Sequence, residues 1–176
     1  MSDITAGEVN VLPRDRALAL EVRAGKIGFA AFEGPELIDC GTHRYARHGD
    51  GARSTVAKFA ALLDFVTPAV VVTRRPRRSA HESSNRARSR WRTLASALQR
   101  RAIPLIVVPR KRAKSCFAER GCRSKSDIAT WLVARFPSLA WRLPPKRKTW
   151  QREAHAVVIF DAVATAVASG LIPTRP

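Results

Sequence analysis

Two short apolar runs, Ala69-Val70-Val71-Val72-Thr73 and Ile103-Pro104-Leu105-Ile106-Val107-Val108, constrain the fold more than any other feature of this chain. Apolar runs without polar alternation mark strands covered on both faces, as in the parallel part of an α/β sheet. A helical period precedes each. Between Arg53 and Val66 apolar residues recur at Val56, Phe59, Ala60, Leu62, Leu63 and Val66, with Pro68 closing the helix. Between Arg88 and Arg101 they recur at Trp91, Leu94, Ala95 and Leu98. Helix, strand, helix, strand in succession requires crossover connections, which lay the strands parallel.

Upstream, Ala17 to Ala24, Ile27 to Glu33 and Glu36 to Thr42 read as three strands joined by the turns Gly25-Lys26 and Gly34-Pro35, hence antiparallel. His43 to Gly51 reads as a loop, and so does the polar, basic stretch Pro76 to Asn85. A short basic helical stretch follows Pro109 and runs to about Arg120. Gly121 breaks it, and Ser124 with Asp127 resembles a capping box opening a helix with Ile128, Trp131, Leu132 and Arg135 on one face. Pro137 to Thr149 reads as a loop, and a last helix runs from about Gln151 to Ser169, ended by Gly170 and Pro173. The expected fold class is α/β, a mixed five-stranded sheet of three antiparallel strands and then two parallel ones, with helices on both faces. Residues 1–16 are expected to form a flexible N-terminal segment, 17–170 a single domain and 171–176 a tail; 176 residues suffice for one sizeable core.

Two carboxylates interrupt this apolar framework. Glu21 lies within Ala17-Leu18-Ala19-Leu20-Glu21-Val22, and Asp161 within Val157-Val158-Ile159-Phe160-Asp161-Ala162-Val163. An ionised carboxylate taken out of water costs several kcal/mol unless it is paired or metal-bound, so an acid on a core strand and another on a core helix suggest a shared cation. Arginine is the alternative: a guanidinium from Arg74 or Arg23 satisfies a carboxylate with no metal present.

The net charge of +18 is concentrated in the middle of the chain. Arg74 to Lys148 carries 22 Lys and Arg against Glu82, Glu119 and Asp127, a net of +19, and the rest sums to −1. A polyanion is the natural partner, because each phosphate neutralised releases condensed counterions. Arg74, Arg75, Arg77, Arg78, Arg110, Lys111, Arg112, Lys114, Lys146, Arg147 and Lys148 are the candidate phosphate contacts. Such contacts position a nucleic acid and read no bases. Trp141 and Trp150, flanking a proline-rich basic loop, are candidates for base stacking, whereas Trp91 and Trp131 fit helical core spacing. No stretch approaches the ~20 apolar residues of a membrane span and no basic-then-apolar leader opens the chain, so a soluble cytoplasmic protein that makes no membrane contact is expected. Cys40, Cys116 and Cys122 have no zinc or disulfide spacing and read as reduced thiols.

The element order, with an acid in the first strand and another in the last helix, resembles the ribonuclease H-like superfamily, and within it the RuvC-type Holliday junction resolvases. In that family the first-strand acid is followed seven positions later by a glycine and an aromatic, as Glu21 is by Gly28-Phe29. Gly121-Cys122-Arg123-Ser124-Lys125-Ser126-Asp127-Ile128 is similar to the family's glycine-to-lysine segment that opens a helix, with Lys125 on a nucleic-acid-binding position. Phe160-Asp161-Ala162-Val163-Ala164-Thr165-Ala166 resembles its closing helix. The resemblance implies a structure-selective endonuclease, with Glu21 and Asp161 holding two Mg2+ or Mn2+ ions for phosphodiester hydrolysis, DNA favoured over RNA, and a homodimer that cuts two strands symmetrically.

The departures weigh against catalysis. The first acid is Glu where the family has Asp; Thr73 or Arg74 stands where an acid is expected at the end of the buried strand, and Val158 where one is expected before Asp161. Glu153 is the nearest substitute, about 80° around the helix and two turns from Asp161. Three readings therefore stay open: first, a metal nuclease using Glu21, Asp161 and Glu153; as the runner-up, a catalytically silent DNA- or RNA-binding protein on the same scaffold; and third, a basic RNA-assembly component.

Overall fold

The computed structural model of the chain describes residues 15–45, 51–77, 79, 81–144 and 156–172. Its elements are β1 (Arg16–Val22), β2 (Lys26–Glu33), β3 (Glu36–Arg44), α1 (Gly51–Val66), β4 (Val70–Thr73), α2 (Glu82–Arg100), β5 (Leu105–Val107), α3 (Arg110–Ala118), α4 (Lys125–Arg135), a 3-10 turn (Pro137–Arg142) and α5 (Val157–Ser169). The sheet order is β3-β2-β1-β4-β5. The β1–β2 and β2–β3 pairs are antiparallel, the β1–β4 and β4–β5 pairs parallel.

Strand alternation divides the core in two. Leu18, Leu20, Val22 and Val71 face a layer closed by α1 and α2, with Phe59, Leu63, Trp91 and Leu94. Ala17, Ala19, Val70 and Val72 face a layer closed by α3, α4 and α5, with Phe117, Leu132, Ile159 and Val163. Small residues on the second face of β1 let α5 lie close, and the nearest approach is at Gly28. A Cβ there would stand 2.4 Å from the Val158 carbonyl oxygen, so any side chain would push α5 off the sheet. Gly170 ends α5 in the left-handed region at φ 86°, where glycine carries no Cβ penalty.

Several boundaries differ from the expectation. α2 starts at Glu82, so its first turns fall within the stretch expected to be a loop. Those turns are polar and carry no apolar period; they are held by the Ser84 and Asn85 amides donating to the His81 carbonyl and by the Arg86–Glu82 pair at 3.5 Å. Pro137 to Arg142 winds into a 3-10 turn rather than a loop because Leu139 anchors it, fully buried beside α4. The capping box is present: the Asp127 amide donates to Ser124 Oγ, and the Ser124 amide donates to the Asp127 carboxylate. Among the described residues no helix is long and apolar enough to cross a membrane.

Candidate functional site

The carboxyl ends of parallel strands gather at one edge of an open α/β sheet, and ligands bind there because the loops and helix starts converge. β1 and β4 reach this edge side by side, with Leu20 in register with Thr73. The Thr73 hydroxyl donates to the Leu20 carbonyl at 2.8 Å and locks the two strand ends together. Alternation continued one step past each strand turns Arg23 and Arg74 to the same face as Glu21, the face covered by α5. Glu21 pairs in register with Gly28. The helix that rests on Gly28 through Val158 carries Asp161 one turn further on, which brings Asp161 over Glu21.

The result is a compact ionic cluster. Arg74 donates to Glu21 Oε2 through Nη2 at 3.0 Å and Nε at 3.3 Å, and its Nη2 also lies 3.5 Å from Asp161 Oδ1. Arg23 donates through Nη2 to Asp161 Oδ2, and its Nε lies 3.8 Å from Glu21 Oε1. Both guanidiniums therefore bridge both carboxylates. The Glu21, Asp161 and Arg74 side chains are only 10%, 15% and 14% exposed, so water screens these pairs weakly. Lys125, in the first turn of α4, reaches Asp161 Oδ2 at 3.7 Å from a largely exposed position. Arg110, at the start of α3, has its pKa lowered first by burial and then by the repulsion of Arg74 and Arg77, with Glu21 and Asp161 pulling the other way. Two carboxylates thus sit among four cations, and the cluster carries a net positive charge.

This donor set does not fit a two-cation centre. Two metal ions need bridging carboxylates with free lone pairs; here Glu21 and Asp161 are engaged by arginine. The position after Thr73 supplies Arg74, a cation, and Val158 is packed with no exposed surface against Gly28. Among the described residues no three His, Cys, Asp or Glu side chains converge. Glu153 lies outside the described residues.

The remaining candidates disperse. Arg75 alternates to the opposite face, its guanidinium carbon 5.1 Å from the centroid of the Trp91 ring. Arg77 is exposed and lies near enough to Arg110 to repel it. Lys111 and Lys114 are exposed on α3. Arg112 donates to the Ser169 carbonyl at 3.3 Å, at the carboxyl end of α5. Trp91 is buried and Trp131 partly buried, as their spacing suggested, while Trp141 is 77% exposed with Arg142 over its ring at 4.1 Å. Arg78, Lys146, Arg147, Lys148 and Trp150 lie outside the described residues. The sequence reading offered Arg23 and Arg74 as alternative partners of the acids; in the structure both act at once. The legible signal was strand alternation carried past Val22 and Thr73.

No family model matches the chain, and no curated protein sequence does. Solved structures do. The chain superposes on T. thermophilus RuvC in complex with a Holliday junction substrate with a TM-score of 0.66 at 13% identity, covering 88% of this chain and 92% of that one. The match to a second Thermus thermophilus RuvC structure has a TM-score of 0.65 at 13% identity, covering 89% and 93%. The match to the yeast mitochondrial Holliday junction resolvase Ydc2 has a TM-score of 0.68 at 13% identity, covering 95% and 83%. The chain has a RuvC-type, ribonuclease H-like fold. On that RuvC-type scaffold the Glu21–Asp161 cluster occupies the sheet edge where strand ends and helix starts meet, and arginine supplies the positive charge between its two acids.

Proposed function

We propose that this protein binds branched or duplex DNA through its phosphate backbone and does not cut it by a two-metal route. The observation that carries the proposal is the double bridging of Glu21 and Asp161 by Arg23 and Arg74. An acidic cluster without metal repels a phosphate; this one, with Lys125 and Arg110 beside it, attracts one. The carboxylates hold the two arginine forks in fixed orientations, and a pre-oriented fork loses less rotamer freedom when it meets a phosphate. The preference for DNA over RNA, and for a four-way junction among DNA forms, rests on the resolvases with which this chain shares its fold. A homodimer belongs to the same proposal, since a two-fold pair of copies matches the symmetry of a four-way branch point.

The endonuclease reading has two observations in its favour, the juxtaposition of Glu21 and Asp161 at the sheet edge and the shared fold with solved resolvases. It requires both guanidiniums to leave before Mg2+ or Mn2+ could be held. A basic RNA-assembly role would account for the charge but not for the cluster.

The deciding experiment measures binding and cleavage of labelled four-way junction, duplex DNA and structured RNA at one salt concentration, with Mg2+ or Mn2+ and with Asp161→Asn as control. Tight, salt-sensitive binding to DNA without cleavage is the expected result. Cleavage by the parent that disappears in Asp161→Asn would overturn the proposal in favour of a metal nuclease, and preference for structured RNA would favour the assembly role.

A further inference from the structure

The opposite face of the same sheet edge carries a second unusual cluster. β3 ends at Arg44, and Tyr45, whose amide donates to the Gly25 carbonyl, turns its ring into the layer under α1 and α2. Arg90, in the third turn of α2, places its guanidinium carbon 3.9 Å from the centroid of that ring, and Lys58 Nζ lies 5.8 Å from it. The next residue, Trp91, is packed in the same layer beneath Arg75. Tyr45 and Trp91 are 5% and 7% exposed, while Arg90 is half-buried.

Three buried polar atoms here, Tyr45 Oη, Arg90 Nη1 and Trp91 Nε1, have no hydrogen-bond partner among the described residues. All three can donate, and a buried donor left without an acceptor carries a desolvation penalty that a well-placed acceptor would remove. Burial lowers the Arg90 pKa, and Arg86 lowers it further against the pull of Tyr45. Burial pushes the Tyr45 hydroxyl well above its ordinary value, with Arg90 opposing, so it remains a neutral donor at physiological pH. No carboxylate among the described residues pairs with Arg90. On the other face, by contrast, each bridging arginine has two carboxylates. The missing component is an anion rich in acceptor oxygens, and a phosphodiester is that group.

We propose that Tyr45 and Arg90 form a second phosphate seat, holding a backbone phosphate of bound nucleic acid on the far side of the sheet edge from the Glu21–Asp161 cluster. The inference rests on the DNA-binding reading and adds the second point of contact. Arg90 is the entry, because it meets solvent while Tyr45 is buried. A phosphate that draws the guanidinium off the Tyr45 ring uncovers the hydroxyl beneath it. Two seats on opposite faces of one edge suit a ligand with two backbones to offer, a duplex or a branch point, better than one single strand.

The test uses the full chain and a fluorescein-labelled four-way junction, duplex and single strand, titrated over a range of salt concentrations, with Arg90→Gln, Arg90→Lys and Tyr45→Phe beside the parent. Arg90→Gln should reduce the slope of log affinity against log salt by about 1 for junction and duplex, the loss of one phosphate contact. Arg90→Lys should retain the slope. Tyr45→Phe should retain it too, weaken binding about tenfold, and melt no lower than the parent, since it deletes only an unpaired buried hydroxyl. Parent-like slope and affinity in Arg90→Gln, while the parent binds DNA, would overturn the second seat and leave the DNA-binding reading standing. Tyr45→Phe that loses stability but binds normally would also overturn it, showing that the hydroxyl serves the fold. A parent that binds none of the three nucleic acids would remove both readings.

Discussion

Arg74 offers the sharpest test of whether the ionic cluster is a structural unit. In Arg74→Gln, Glu21 loses a two-donor contact at 3.0 and 3.3 Å, and Asp161 loses a partner at 3.5 Å. At an effective dielectric of about 20, a unit pair at 3.0 Å attracts by roughly 5 kcal/mol before desolvation is counted. Removing one partner of a buried pair costs about 3–5 kcal/mol, largely because the other charge is left uncompensated. Arg23 stays in place, 3.8 Å from Glu21 and bonded to Asp161, so the lower end, about 3 kcal/mol, applies. For a chain of this length that corresponds to a fall in melting temperature of roughly 6–12 °C. The double variant Glu21→Gln/Arg74→Gln removes both charges, and it should be more stable than the sum of the two single losses allows, by at least about 1 kcal/mol of coupling. Urea unfolding of the parent, both singles and the double closes the cycle. Coupling below about 0.5 kcal/mol, the level of independent sites, would refute the reasoning and make the bridging incidental.

Arg74→Asp replaces the bridging cation by an acid beside Glu21 and Asp161, and it should gain a melting-temperature rise with Mn2+ that the parent lacks, about 2.7 kcal/mol of stabilisation when the metal reaches a hundred times its dissociation constant; an equal rise in the parent would show that the existing residues already hold the ion. Gly28→Ala should destabilise by about 3 kcal/mol, the upper end for overpacking, because its new methyl meets Val158 backbone rather than a movable side chain; an unchanged urea midpoint would rule out the close approach of α5. Burial pushes the Cys40 and Cys122 thiols up, with Arg142 and Arg120 respectively opposing the rise, so both should react with a disulfide reagent at pH 8 more slowly than glutathione does, and fast labelling of the folded chain at either would contradict that packing. On α1, the Arg101 hydrogen bond holds the Asp64 carboxyl below its usual value; the stability it adds is present above the unfolded pKa and is lost as pH falls through the folded one, so Asp64→Asn should flatten the acid limb of the stability profile, and an unchanged limb would count against the pair.

The sequence by itself determined the sheet and the identity of its critical residues. Continuous apolar runs gave β4 and β5, strand runs bounded by turn glycines gave β1 to β3, and Ser124 with Asp127 marked the start of α4, because burial, turns and capping leave a local imprint on residue type. It also marked Glu21 and Asp161 as needing a cation, since charge amid apolar neighbours demands compensation wherever the chain folds. It did not extend α2 back to Glu82 or wind Pro137 to Arg142 into a 3-10 turn, since polar turns carry no apolar period and a lone anchoring Leu139 leaves none. Nor did it decide what compensates the acids. The Arg23–Asp161 contact spans 138 residues and the Arg74–Glu21 contact 53, and both exist because α5 settles onto Gly28 while β1 and β4 end side by side. Metal or arginine between two carboxylates is a matter of which cation the tertiary structure delivers within reach, and a sequence pattern holds no record of that distance.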